Sequence, residues 1–104
     1  MLVTLTEVAE NTKARSVGSA ERTKVYTLRE ISVNPNHVVV LREDGNTNRL
    51  LSEGRLPEGL DPRQRFTRVF LERGQAGIDV IVVGSPEQIR ELIHKSDNRE
   101  LLRG

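Results

Sequence analysis

Hydrophobic and polar positions follow their clearest pattern between residues 66 and 83. Two runs rich in β-branched and aromatic residues, 66–71 and 78–83, lie on either side of a short segment that contains two glycines. Such a pattern predicts a β-hairpin. The second run is apolar on both faces beyond Asp79, which predicts a strand that is covered on both sides.

The turn of this hairpin determines how its strands pair. A three-residue loop at residues 75–77 would place Gly77 in the left-handed conformation that a residue without Cβ adopts freely. Arg73 would then lie opposite Asp79, and apolar residues would pair further along the strands. A slip of one residue would set Glu72 against Asp79, two like charges, so the first register is the prediction.

A helix is predicted directly after the hairpin. Ser85 is a suitable N-cap, Pro86 suits the first helical position, and Gln88 completes a capping box. Apolar residues then recur at helical spacing through residues 89–93. The prediction is a helix over residues 85–95 with one apolar stripe that packs on a sheet.

Further strands are predicted before the hairpin. Residues 2–6 and 24–33 have strand composition, and Asn34-Pro35 predicts a turn that leads at once into residues 37–41. The strands on either side of this turn are expected to be antiparallel neighbours. Residues 10–22 are small and polar, without periodicity, and are predicted to be a mobile loop that could order on a partner.

Glycine and proline mark the remaining connections. Asp44 and Gly45 form a strong hairpin signal, which predicts a returning strand at residues 49–51. Residues 54–62 contain two prolines and two glycines and are predicted to form a loop. The fold expected for residues 1–104 is therefore a single α+β domain: a curved antiparallel sheet, or a partly open small barrel, of five to six strands with one C-terminal capped helix.

Composition adds limits to this picture. The chain has 104 residues, of which 36% are hydrophobic and 3% aromatic, so its core is modest and self-association would stabilise it. Its formal net charge of +1 gives the whole molecule no strong attraction for nucleic acid or an anionic membrane. The absence of cysteine excludes disulfides and thiolate metal sites. Without a signal peptide or a membrane-spanning run, we expect a soluble, cytoplasmic protein that does not bind membranes.

The sequence offers little for catalysis. It has no glycine-rich phosphate loop, and its two histidines, His37 and His94, are far apart. Ser85 follows a glycine, but helix capping explains it and no nucleophile-elbow motif surrounds it. Asp79 could be a buried acid, although a surface pair with Arg73 is the more common arrangement. We therefore expect no catalytic residue, no metal and no cofactor.

One stretch has the composition of a binding surface. Phe66, Arg68 and Phe70 share a strand face because side chains alternate with a period of two. Exposed aromatic and guanidinium groups in alternation would suit base stacking and phosphate contacts. The opposing interpretation is that both phenylalanines belong to the core. If the face is exposed, the nucleic-acid-binding residues would be Arg63, Arg65, Phe66, Arg68, Phe70 and Arg73.

Two segments resemble a known family. The sequence EISVNPNHV at residues 30–38, followed by a hairpin and by VVGSPEQI at residues 82–89, is similar to the small bacterial flagellar and swarming-motility proteins of the FlbD type and to similar short phage and bacterial proteins. The similar stretch runs in order over residues 28–93. The chain departs from the family pattern in its N-terminal extension and in residues 45–65. The resemblance implies a compact, non-enzymatic accessory protein.

Two functions follow as hypotheses. The first is a small non-enzymatic interaction or regulatory module that associates with itself or with another protein through a sheet edge or its helix. The second is a nucleic-acid-binding module that uses the Arg/Phe strand face. The structural residues behind either function are expected to be Gly45, Gly77, Ser85, Pro86 and Gln88.

Overall fold

A computed structural model describes residues 2–14, 22–74 and 76–103 of the chain, with side chains described for residues 2–10, 25–72, 74 and 76–95. The elements in chain order are strands β1 (Val3–Ala14) and β2 (Arg22–Val33), a 3-10 turn (Pro35–His37), strand β3 (Val38–Glu43), helix α1 (Gly45–Ser52), strands β4 (Phe66–Arg73) and β5 (Ala76–Val83), and helix α2 (Pro86–Arg103).

The five strands form one antiparallel sheet in the order β2-β1-β5-β4-β3, which is not closed into a barrel. The expected α+β fold with a curved antiparallel sheet is confirmed. β5 lies in the centre of the sheet rather than at an edge, as predicted, but it is not covered along its whole length, since residues 76–79 are exposed. Within the described residues, no helix is long and apolar enough to span a membrane.

The sheet is curled, and a short connection shows why. β2 and β3 are the two outer strands, yet only residues 34–37 join Val33 to Val38. This link reaches about 17 Å when fully extended, and less with its 3-10 turn, whereas four strand spacings of a flat sheet cover about 19 Å. In agreement, Ile31 of β2 and Val38 of β3 pack against the same buried cluster. The two sheet edges therefore approach each other at this end.

The concave side of the sheet is covered by α2, and we call it the α2 face. Its buried cluster consists of Val3, Leu5, Val33, Val69, Val82 and Ile89. The helix begins as predicted: the Ser85 backbone N–H donates to Gln88 Oε1 at 2.9 Å, and the Gln88 N–H donates to Ser85 Oγ at 3.2 Å. It continues through Ser96 to Arg103, beyond the predicted end at residue 95.

The convex side is covered by α1 and by the loop that follows it, and we call it the α1 face. Its buried cluster consists of Val8, Leu50, Leu56 and Phe66. The loop at residues 54–62 has no helix or strand, as predicted, and Leu56 of this loop is buried beneath it. The asparagine side chain of Asn48 donates to the Gln64 carbonyl at 2.7 Å and ties α1 to the loop.

The predicted register of the β4–β5 hairpin is wrong. Arg73 pairs with Ala76, Leu71 with Ile78, and Phe70 with Asp79. The turn is a two-residue loop in which Gly74, with φ 62°, supplies the left-handed conformation that was predicted for Gly77. Gly77 instead lies in β5, where the ring of Phe70 covers it. Close aromatic packing explains this glycine better than turn geometry does.

The hairpin predicted at Asp44-Gly45 is also wrong. Asp44 is the N-cap of α1, since its carboxylate accepts a hydrogen bond from the Thr47 backbone N–H at 3.2 Å. Thr47 and Leu50 are spaced by one helical turn and are both buried, so this segment packs on the α1 face as a helix. The expected strand at residues 49–51 does not form.

Two predictions about the first half of the chain also change. β1 extends to Ala14 and β2 begins at Arg22, because their antiparallel pairing continues to these residues; the rest of the predicted loop lies outside the described residues. β2 and β3 are not paired neighbours, since β2 pairs with β1 and β3 with β4. The turn at Asn34-Pro35 does form, with the Asn36 N–H donating to Asn34 Oδ1 at 2.9 Å.

Candidate functional site

The Arg/Phe strand face is divided by its cover. Phe66 has 0% exposure beneath α1 and cannot stack on a base. Phe70 lies on the same face, four residues further along β4, and is half-buried. A methyl group placed at Gly77 would lie 2.8 Å from Cζ of Phe70, so the ring lies directly on this glycine. Only the Phe70 end of the predicted surface is open.

Arg68 lies between the two phenylalanines and is held by two carboxylates. Its guanidinium is 3.6 Å from Asp44 Oδ1 and 3.7 Å from Asp79 Oδ2. The structure gives Asp79 the partner Arg68, and the side chain of Arg73, its expected partner, lies outside the described residues. Arg42 of β3 lies opposite Arg68 in the sheet, and among the described residues it has no carboxylate partner. Arg42 is a cation of this surface that sequence reasoning missed.

Arg65 is held more completely than Arg68. Its Nε and Nη2 donate to the two carboxylate oxygens of Glu43 at 2.9 and 2.8 Å, and its Nη1 lies 3.4 Å from Glu87 Oε2. The Arg65 hydrogen bond lowers the pKa of Glu43, and the same contact raises the pKa of Arg65. This planar pair ties the start of β4 to the end of β3, and its charge is neutralised within the protein.

Of the remaining predicted cations, Arg63 lies away from the Phe70 end of the surface, beside Ser85 and Gln88. Arg63 is exposed, and its backbone N–H donates to Asp61 Oδ1 at 2.8 Å. With Arg65 it lines a polar cavity of about 320 Å³ beside Ser85 and Gln88. Arg73 lies in β4, and its side chain is outside the described residues. The six predicted nucleic-acid-binding residues therefore do not form one continuous exposed face.

A second candidate site lies where the curled sheet opens on the α2 face, and we call it the mouth pocket. It is a cavity of about 740 Å³. One wall is apolar and comes from β4 and β5, while the opposite wall comes from β2 and the connection to β3. The residues that line it are Glu7, Arg29, Ile31, Ser32, Val33, Asn34, His37, Leu71, Ala76, Ile78 and Val80.

The shape of the mouth pocket follows from the topology. α2 covers the Val82 end of β5, whereas Ile78 lies four residues away, towards the hairpin turn. There Ile78 keeps 58% of its surface exposed, which is unusual for a large aliphatic residue on a central strand. Pockets of this size and mainly apolar lining, with a few polar groups, are typical of ligand sites in the mouths of curved sheets.

An ion pair forms the polar edge of the mouth pocket. Arg29 Nε donates to Glu7 Oε1 at 2.7 Å, and the two residues pair across β1 and β2. The Glu7 side chain is 13% exposed, while that of Arg29 is 65% exposed. Within the described residues, no protein group accepts a hydrogen bond from the two terminal nitrogens of Arg29. They remain available to an anion.

The two histidines lie in different places. His37 lines the mouth pocket, and His94 is on the exposed side of α2. No group of three or more histidine or acidic side chains in the described part of the chain could hold a metal ion. We find no geometry that links these imidazoles.

The outer edge of β3 is a third candidate surface. β3 ends the strand order and pairs only with β4 among the described strands. Its register shifts between Val38 and Val40, so Val39 forms a bulge. Val39 and Val40 are 54% and 40% exposed, and no described strand pairs with their outer edge, which could therefore accept another strand.

Sequence reasoning missed Glu7 and Arg29, although a signal was present. Val3 and Leu5 point into the α2 face, and the period of two places Glu7 next in that series. Arg29 precedes Ile31 and Val33 in the matching series on β2. A charge in an otherwise inward-facing series marks either a partner or the rim of a cavity. The curled sheet shows that Glu7 and Arg29 are partners of each other and also lie at the rim of a cavity.

Comparisons with known proteins do not assign the chain to a family. No protein-family model matches the chain, and neither a curated protein nor a solved structure is significantly similar to it. The resemblance to the FlbD type therefore rests on the short motifs at residues 30–38 and 82–89 alone.

Proposed function

We propose that this protein is a small non-enzymatic interaction module that associates with a second copy of itself through the outer edge of β3. The observation that carries this proposal is the exposure of Val39 and Val40 on an edge strand that pairs with β4 alone among the described strands. Exposed apolar edges pair readily with other strands, and most proteins protect them with charge, cover or a bulge; here the bulge at Val39 leaves both valines exposed.

Self-association also fits the energetics of the chain. The core is divided into two small clusters, and the protein has only three aromatic residues, Tyr26, Phe66 and Phe70. Two copies that pair their β3 edges would form a closed, two-fold interface, which is the most common symmetry among soluble oligomers. The pairing would join two five-stranded sheets and cover the exposed valines.

The test is the oligomeric state of the Val39→Lys variant, measured by light scattering and sedimentation over a wide range of protein concentration. A lysine on the edge strand should convert the wild-type dimer into a monomer without lowering the free energy of unfolding of the monomer. The matched control is Thr27→Lys on β2, the other outer strand, where Thr27 is also exposed. A wild-type protein that is monomeric throughout, or a Val39→Lys variant that still dimerises, would contradict the proposal.

Nucleic-acid binding is the second candidate function, and one observation favours it. Half-buried Phe70 lies on the same sheet face as Arg68 and Arg42, and Arg42 has no carboxylate partner among the described residues, so this face presents an aromatic ring and a cation. The expected result is binding of single-stranded RNA or DNA that weakens with salt and with either Arg42→Gln or Phe70→Ala. Arg29→Gln, in the mouth pocket, is the control. Binding that ignores salt and both substitutions would exclude this function.

A further inference from the structure

The mouth pocket contains an apolar surface that the described residues leave uncovered. Ile78 is on a central strand, yet the first turns of α2 cover only the other end of β5. The neighbouring Val80 and Ile31 are partly buried and continue this surface into the cavity. Exposed aliphatic area in a concave site is better covered by a ligand than by water, because its transfer from water is favourable.

The polar edge of the same cavity limits the charge of that ligand. Glu7 engages Nε of Arg29 and holds the guanidinium in place, which leaves Nη1 and Nη2 as a planar pair of donors. Two parallel donors match the two oxygens of a carboxylate. A dianion such as a phosphate monoester would be repelled more strongly by Glu7, and a cation would be repelled by Arg29.

We propose that the mouth pocket binds an aliphatic monocarboxylate, with its carboxylate on Nη1 and Nη2 of Arg29 and its hydrocarbon chain along Ile31, Ile78 and Val80. The cavity of about 740 Å³ is large enough for a ligand of this kind. The site adjoins the start of β3, because Asn34 and His37 of the connection to β3 line it, so ligand binding and self-association are measured separately.

Binding can be tested with decanoate as the probe, by calorimetry below its micelle concentration and by the methyl resonance of Ile78. We expect saturable binding, a shift of the Ile78 methyl signal, and a loss of affinity of about tenfold or more in Arg29→Gln, since charge-assisted bidentate contacts are strong. Arg29→Lys should lose part of the affinity because it keeps the charge without the paired donors. Arg42→Gln, an exposed arginine on the other face, is the control and should bind normally.

Two further measurements make the result decisive. Decan-1-ol has the hydrocarbon chain without the charge, so it should bind the wild type more weakly than decanoate does. Its affinity for Arg29→Gln should equal its affinity for the wild type. Ile78→Asn should weaken decanoate without changing the far-ultraviolet circular dichroism. Absence of saturable decanoate binding, or equal affinity in Arg29→Gln and wild type, would overturn the proposal. Repeating the titration with Val39→Lys separates ligand binding from dimerisation, because saturable decanoate binding by a monomeric variant needs no second copy.

Discussion

The two faces of the sheet are covered by helices that differ in how clearly the local sequence predicts them. On the α2 face, the helix starts at a reciprocal capping box and directly follows the strand on which it packs. On the α1 face, an eight-residue helix and an irregular loop cover Phe66, and their sequence carries a strong hairpin signal instead. The first cover follows from local signals alone, whereas in the second the local cap at Asp44 competes with a hairpin signal, and the burial of Thr47 and Leu50 favours the helix. The α1 face should therefore depend more on its few buried side chains.

Phe66→Ala is the test of this difference with the largest expected effect. Removal of this fully buried ring should lower the free energy of unfolding by about 3–5 kcal/mol, because the cavity under α1 cannot close completely. The measurement is urea unfolding followed by circular dichroism. Phe70→Ala is the control, since its half-buried ring should cost clearly less. If Phe66→Ala does not fold, Phe66→Leu gives a graded value, and equal losses at the two positions would contradict the division of this face.

Gly77→Ala tests the contact that keeps Phe70 on the sheet. The new methyl group would lie 2.8 Å from the ring, and the resulting displacement should cost about 1–3 kcal/mol of stability. Gly45→Ala is the matched comparison: nothing lies within 4 Å of its added methyl group, and alanine in α1 should stabilise the protein by about 0.5–1 kcal/mol. Urea unfolding of both variants measures whether each substitution raises or lowers the free energy of unfolding. A destabilised Gly45→Ala would imply that residues 44–52 prefer the hairpin over the helix.

The helix caps provide a smaller test of local control. Ser85→Ala removes the acceptor for the Gln88 N–H and should lower stability by about 1 kcal/mol, with faster hydrogen exchange in the first turn of α2. Ser52→Ala is the control: Ser52 is exposed at the end of α1 and its hydroxyl donates to the Arg49 carbonyl at 2.8 Å, a contact that water can replace, so stability should change by no more than about 0.5 kcal/mol. Unchanged exchange in α2 would show that packing of Ile89, rather than the cap, sets the start of this helix.

The smallest expected effect is a pH dependence at Glu43. Because the Arg65 hydrogen bond lowers the pKa of Glu43 in the folded protein, this carboxylate contributes stability above its unfolded pKa. That contribution should be lost as the pH falls through the lower, folded pKa. A carbon-detected NMR titration of Glu43 in wild type and Arg65→Gln measures the shift, which should disappear in the variant. An identical Glu43 titration in both proteins would mean that the planar pair does not persist in solution.

The success of sequence reasoning follows the range of the interactions involved. Ser85, Pro86 and Gln88 predict their own structure, because every contact of a capping box lies within four residues. The hairpin at residues 66–83 was correctly placed, but its register was not, since Gly74 and Gly77 are equally suited to a turn. The choice between them depends on where Phe70 packs, which no local pattern shows.

The candidate sites show the same limit. Arg68 and Phe70 were identified as a possible surface, yet the cover over Phe66 and the carboxylates beside Arg68 come from segments far away in sequence. Arg42 lies opposite Arg68 only because β3 pairs with β4. The mouth pocket could not be predicted at all, because β2 and β3 were expected to be neighbours.

The sequence by itself determined the strands at β4 and β5, the capped start of α2, the turn at Asn34-Pro35 and the α+β class, since each depends on backbone preferences and on side-chain periods of neighbouring residues. Only the tertiary structure decided that residues 45–52 are helical, that β2 and β3 form opposite edges, and that the Phe66 end of the Arg/Phe face is buried while its Phe70 end is open. The physical reason is that burial of apolar area is not directional. The chain adopts the arrangement that covers most of this area, and that choice depends on all elements together.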